Sequence, residues 1–247
     1  MALIHLGQLT PALVSLSCIF DAVFTGAEFC GLLPQLAPHI VTLRLHGSVH
    51  HEHVGGILDL AAQRLPCLRE LYLSSTTVGT PLPPAAGAHL SQLTSLQRLM
   101  LSGPQLVTGL APFLPSAPAL VSLHLPDAVL PVEPAVLAAL TALTSVQLGT
   151  LQCSYEVPGG GGTRSESCLP AIRQMRSLQE FVFDASGGVK LSEDELRQQM
   201  VPPPPMLRTI VVPRVDRALC WLLIRVLGPL VDGGLSVMFS STYASVI

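Results

Sequence analysis

The chain is 247 residues long, 49% hydrophobic and only 12% charged, with a formal net charge of −3. That length suits one ordinary domain or one modest repeat array, and that hydrophobicity excludes an intrinsically disordered tail, which needs the opposite balance. The charge excludes a global basic field for nucleic acid, and a sequence without Asn has no N-glycosylation acceptor.

In chain order, Leu3, Leu6 and Leu9 read as the tail of a repeat already in progress, so the chain is expected to be a fragment that begins mid-repeat. The N-terminus lacks the basic region and long apolar run of a secretory signal. From Leu13 onward a motif L-x-x-L-x-L recurs, with apolar substitutes. It reads Leu13–Leu16–Cys18, Ile40–Leu43–Leu45, Leu68–Leu71–Leu73, Leu96–Leu99–Leu101 and Leu120–Leu123–Leu125, then Leu143–Val146–Leu148, Leu178–Phe181–Phe183 and Leu207–Ile210–Val212. These eight copies start 27, 28, 28, 24, 23, 35 and 29 residues apart, and a degenerate last copy has Val237 and Phe239 as its inward pair.

The motif predicts strands rather than helices. Leu90, Leu93, Leu96 and Leu99 step strictly by three, and on an α-helix such steps rotate about 300° each and smear over half the circumference. The closing step of two, Leu99 to Leu101, is the strand period. Turn formers follow each copy, as in Ser74-Ser75, Ser102-Gly103, Pro126-Asp127, Gly149-Thr150 and Ala185–Gly188. Between strands the chain reads as helical or irregular: Phe29, Leu32, Leu33 and Leu36 make one stripe, Ile57, Leu58, Ala61 and Leu65 make another, and Leu137, Leu140 and Leu143 lead into a later copy of the motif. Ser192 with Glu195 forms a capping box, and Leu191 and Leu196 sit at its staple positions. Leu219, Leu222, Leu223, Val226, Leu227 and Leu230 make one face of an amphipathic helix. That helix is interrupted by Arg225 and is too short for the roughly 20 apolar residues of a membrane span.

Several segments resemble chemistry without its full requirements. Residues 152–168, with Gly159–Gly162, read as a flexible Gly-rich insertion in the longest repeat, since a phosphate-binding loop needs a Lys that is missing here. His50-His51-Glu52-His53 is the densest set of metal-capable side chains, read as a solvated turn lacking a further ligand at suitable spacing. Pro202–Pro205 reads as a polyproline II spacer. The six cysteines, at 18, 30, 67, 153, 168 and 220, lack a CxxC pair and read as reduced and structural. No nucleophile elbow or acid–base dyad can be located, so no catalysis, cofactor or metal is expected.

The eight agreeing copies resemble leucine-rich-repeat proteins over nearly the whole chain, and the repeat lengths resemble the long-repeat, intracellular, ribonuclease-inhibitor-like class. The resemblance implies an α/β fold: one right-handed solenoid, or horseshoe, over residues 1–247, with about eight to nine repeats. Parallel strands would line its concave face, with helices and irregular segments on the convex face. One departure is that the family places Asn or Cys eight positions after the first Leu of each copy. Here those positions hold Asp21, Ser48, Thr76, Pro104, Ala128, Leu151, Ser186 and Val215, so irregular curvature is expected.

If the strands stack in parallel, inward Leu43 and Leu45 leave Thr42, Arg44 and His46 pointing outward. The equivalent outward triplets are Glu70, Tyr72, Ser74; Arg98, Met100, Ser102; Ser122, His124, Pro126; Ser145, Gln147, Gly149; and Glu180, Val182, Asp184. Candidate partner-binding residues are therefore Thr42, Arg44, His46, Glu70, Tyr72, Arg98, Met100, His124, Gln147 and Glu180, because interface centres favour Tyr, Met and Arg. Glu70 and Arg98 share a column, either as an internal ion pair or as a polar anchor for a partner. The expected role is a non-catalytic protein–protein interaction module in the cytoplasm or nucleus, with another protein as partner, no nucleic acid and no membrane span. Self-association through uncapped solenoid ends is a further expectation. Two other roles stay open: the substrate receptor of a ubiquitin ligase lacking its F-box here, and a fixed structural subunit of a large assembly.

Overall fold

Short strands form where each leucine motif closes with its step of two. In the computed structural model, the structure describes residues 13–20, 26–32, 38–47, 51–75, 84–103, 110, 113–117, 119–126, 129–130, 132–156, 163–184, 192–213, 215, 217–231 and 233–239. The chain divides into two compact units, Met1–Leu120 and Val121–Ile247.

The first unit holds β1 (Ser15–Phe20), β2 (Thr42–Gly47), β3 (Glu70–Ser75) and β4 (Arg98–Ser102). They pair in parallel with Leu16, Leu43, Leu71 and Leu99 opposite one another. The second unit holds β5 (Ser122–Leu125), β6 (Ser145–Leu148), the antiparallel hairpin β7 (Gln152–Glu156) and β8 (Thr163–Ser167), then β9 (Glu180–Phe183), β10 (Thr209–Val212) and β11 (Ser236–Phe239). Its parallel register aligns Leu123, Val146, Phe181, Ile210 and Val237. The motif residues from Ile40 to Val212 are all buried. The fold is thus α/β and leucine-rich-repeat-like: one motif copy, one rung of a parallel ladder. The rungs are sealed by main-chain bonds such as Glu70 N–H to the Val41 carbonyl and Arg98 N–H to the Arg69 carbonyl, both 2.9 Å.

The leucine steps of three have their own conformation. Leu93 N–H donates to the Leu90 carbonyl at 3.0 Å and Leu96 N–H to the Leu93 carbonyl at 2.9 Å. The same three-residue turns recur as Leu140 to Leu137 and Leu143 to Leu140, both 3.2 Å, Met175 to Ile172 at 3.1 Å and Leu207 to Pro204 at 3.0 Å. With three residues per turn, side chains three apart eclipse, so every third residue enters the core until the strand begins. Helix α4 (Pro134–Ala138) ends before Leu140, so Leu140 and Leu143 lead into the strand through these turns.

The other helices are α1 (Gly26–Leu32), α2 (His51–Arg64) and α3 (Pro84–Gln92) in the first unit. The second unit adds α5 (Leu169–Gln174), α6 (Glu193–Met200) and α7 (Arg217–Val231). Within each unit, helices successive in sequence pack on one another. The core they close with the sheet is wholly apolar: no polar or charged side chain is buried among the described residues. Gly47 and Gly103, which end β2 and leave β4, have φ of 106° and 120°, a left-handed turn that any side chain would strain.

The predicted stripe at Ile57, Leu58, Ala61 and Leu65 is buried, on and just after α2. The Ser192 capping box is present: Glu195 N–H donates to Ser192 Oγ and Ser192 N–H to Glu195 Oε2, each at 3.2 Å. On α7, Leu219, Leu223, Val226 and Leu227 are buried and Leu222 and Leu230 half-buried. Among the described residues no helix is long and apolar enough to cross a membrane. The reading of His51-Glu52-His53 as a turn is corrected, because α2 begins at His51. Residues 152–168, read as a flexible insertion, carry the β7–β8 hairpin, and Cys153 on β7 and Cys168 just after β8 are buried. Leu3, Leu6, Leu9, Leu33, Leu36, His50, Gly159–Gly162 and Leu191 lie outside the described residues, as do six of the eight positions expected to carry Asn or Cys. Of the other two, Leu151 is buried and Val215 half-buried.

Candidate functional site

Alternation along each strand sends one set of side chains into the leucine core and the other to the opposite face of the sheet. In the first unit that outward face carries seven of the proposed residues: Thr42, Arg44, His46, Glu70, Tyr72, Arg98 and Met100. The register places them in columns. Thr42, Glu70 and Arg98 form one, Arg44, Tyr72 and Met100 the next, and His46 stands beside Ser74.

The first column is tied together internally. The Glu70 carboxylate accepts from Thr42 Oγ1 at 3.3 Å, from Tyr72 Oη at 3.4 Å and from Arg98 Nη1 at 3.1 Å. Glu70 and Arg98 form an internal ion pair. In the second column the Arg44 guanidinium lies over the Tyr72 ring, 4.7 Å from its centroid. Sequence reasoning placed both residues on this face without foreseeing the stack. It also left out Ile19, which is 72% exposed and stands opposite His46 in register. The same alternation, carried back from Cys18 to β1, points to Ser17 and Ile19 as outward.

In the second unit His124, Gln147 and Glu180 lie on β5, β6 and β9. Ser145 Oγ donates to Glu180 Oε2 at 2.9 Å, and His124 Nε2 lies 3.1 Å from both Ser145 Oγ and Ser122 Oγ. The Ser122–His124–Ser145–Glu180 grouping links β5, β6 and β9 as a cross-strand polar tie. Gln147 pairs in register with His124 and Val182.

Elsewhere, the described residues include no group of three or more His, Cys, Asp or Glu side chains able to hold a metal. Pro170, Arg173, Gln174, Gln198 and Gln199 line an open groove at α5 and α6, where Arg173 Nη1 donates to the Gln198 carbonyl at 2.8 Å. The six cysteines are free thiols. A hydrogen bond with Cys153, and then burial, push the Cys168 thiol well above the ordinary thiol range.

No protein-family model matches the chain, and no curated protein matches it. Among solved structures it is similar to the leucine-rich repeat-containing protein LegL7 from Legionella pneumophila. The two are 12% identical over 87% of this chain and 90% of that one, with a TM-score of 0.31. At that score the fold assignment rests on the ladder of strands described above, and the likeness brings no function with it.

Proposed function

We propose that the chain is a protein-binding module that captures a partner on the outward face of the first unit's sheet and performs no chemistry of its own. The observation that carries this reading is the column of Arg44, Tyr72 and Met100. It places a stacked cation, an aromatic ring and a thioether side by side on a parallel ladder whose leucines are already spent on the core. Arg, Tyr and Met are the types enriched at interface centres. The ladder holds them at roughly 4.8 Å spacing with little left to order on binding. Thr42, His46, Glu70 and Arg98 flank this column as a polar rim. His124, Gln147 and Glu180 are proposed as further contacts of the second unit. The partner is another protein, and the ribonuclease-inhibitor-like subclass and a cytoplasmic or nuclear setting belong to the same proposal.

The test replaces Arg44 and Tyr72 by Ala. Capture of the native partner is expected to be lost while thermal stability is unchanged. Unaltered capture would remove the site.

A second reading, a fixed subunit of a larger assembly, is favoured by exposed apolar side chains in the second unit. Trp221, Ile224 and Val231 stand out on α7 and Met238 on β11, with Trp221 62% exposed. A partner that co-purifies at constant stoichiometry and survives the Arg44 and Tyr72 replacements would select this reading.

A further inference from the structure

The first unit's outward face leaves one charge unanswered. Over strands β1 to β4 its described side chains include two arginines, Arg44 and Arg98, against one carboxylate, Glu70. Glu70 is already engaged by three donors, and the Arg98 charge is balanced by it. Arg44 is exposed, and among the described residues it has neither an acidic partner nor a hydrogen bond.

Arg44 is nevertheless held in position. Its Cζ lies over the Tyr72 ring, 4.7 Å from the centroid, and the Tyr72 hydroxyl is tied to Glu70 at 3.4 Å. A guanidinium against an aromatic ring still carries N–H donors in the planar fork that matches a carboxylate bidentately. A guanidinium already fixed in place loses less freedom when a partner group arrives. Diagonally across the register, because Ser17 faces Arg44 and Ile19 faces His46, stands the 72% exposed side chain of Ile19. The face therefore offers a charge-assisted fork next to an uncovered aliphatic group.

We infer that the partner protein presents a segment in which an Asp or Glu side chain docks on Arg44 and an adjacent apolar side chain packs on Ile19. This rests on the protein-binding reading above and names the chemistry its partner must carry.

The experiment selects a random phage-displayed peptide library on the full chain and measures synthetic versions of the enriched peptides by titration calorimetry. The expected enriched peptides share an acidic residue beside an apolar one. Changing that acid to its amide should weaken binding roughly tenfold or more, the scale of one charge-assisted hydrogen bond. Arg44→Gln should weaken the parent peptide to a similar degree and add little further to the amide peptide, whereas Arg173→Gln, on α5 of the second unit, should leave affinity unchanged. Melting curves of both variants check that they stay folded. Enriched peptides lacking a shared acid, or affinity indifferent to Arg44→Gln, overturn the inference and leave the protein-binding reading standing. A library with no enriched peptide overturns both.

Discussion

Glu70 illustrates how little a surface carboxylate contributes to stability even with three donors. Its side chain is 23% exposed and that of its partner Arg98 57% exposed. Exposed pairs of this kind are worth about 0.2–1 kcal/mol in double-mutant cycles. A cycle of Glu70→Ala and Arg98→Ala, read by denaturant unfolding, is expected to return a coupling energy in that range. A coupling well above ~1 kcal/mol would make the pair a structural element of the ladder instead of part of its rim. Leu71, directly inward of the same strand, has the opposite character, fully buried among other leucines. The two residues are adjacent in sequence, and the strand period alone divides them between rim and core. That division is why the outward residues were legible in the sequence. The stack of Arg44 on Tyr72 was not, because column membership follows from register while side-chain direction within a column depends on rotamers and neighbours.

At the scale of elements, α2 shows where local reading fails. It begins in the histidine cluster read as a turn and contains Gly55-Gly56, two residues of poor helix propensity. The helix forms because Ile57, Leu58 and Ala61 bury one face in the first unit's core, and such packing outweighs intrinsic preference. A Cβ added at Gly56 would meet Cys30 Sγ at 3.6 Å, ordinary van der Waals contact. Gly56→Ala is therefore expected to stabilise the protein, by up to ~1 kcal/mol, and a lowered melting temperature would contradict this packing.

Helix α6 is the converse case, fully signalled by Ser192 and Glu195. The Glu193 carboxyl is held below the usual carboxylate range by hydrogen bonds from Arg197 and then Arg225. That of Glu195 is lowered by the Ser192 N–H and then the Ser192 hydroxyl. Both groups are depressed in the folded state. Their contribution is full above the unfolded carboxylate range and is lost as pH falls through the lower folded values. Amide exchange in α6, corrected for its intrinsic pH dependence, should show protection fading on acidification. The loss should be smaller in a chain carrying Glu193→Gln and Glu195→Gln. Protection equally sensitive in both chains would mean that other groups govern the helix.

For the molecule as a whole, the sequence carried its architecture in one signal: apolar residues that alternate steps of three with a step of two. The step of two was legible as a strand. The steps of three were read only as unlike an α-helix, and their identity as successive three-residue turns needed main-chain hydrogen bonds. The 152–168 segment holds an antiparallel pair of strands that no leucine step announces. Cys153 on β7 and Cys168 just after β8 are buried.

The claim on which the rest depends is that motif copies lie side by side, in register, leaving the intervening residues to face a partner. An amide–amide NOE spectrum of the perdeuterated chain tests it most directly. The account predicts contacts between β2 and β3 and between β3 and β4, linking residues 28 apart such as Leu43 with Leu71 and Leu71 with Leu99. Continuous helical contacts running through these leucine motifs, with no cross-strand contacts at that separation, would contradict it.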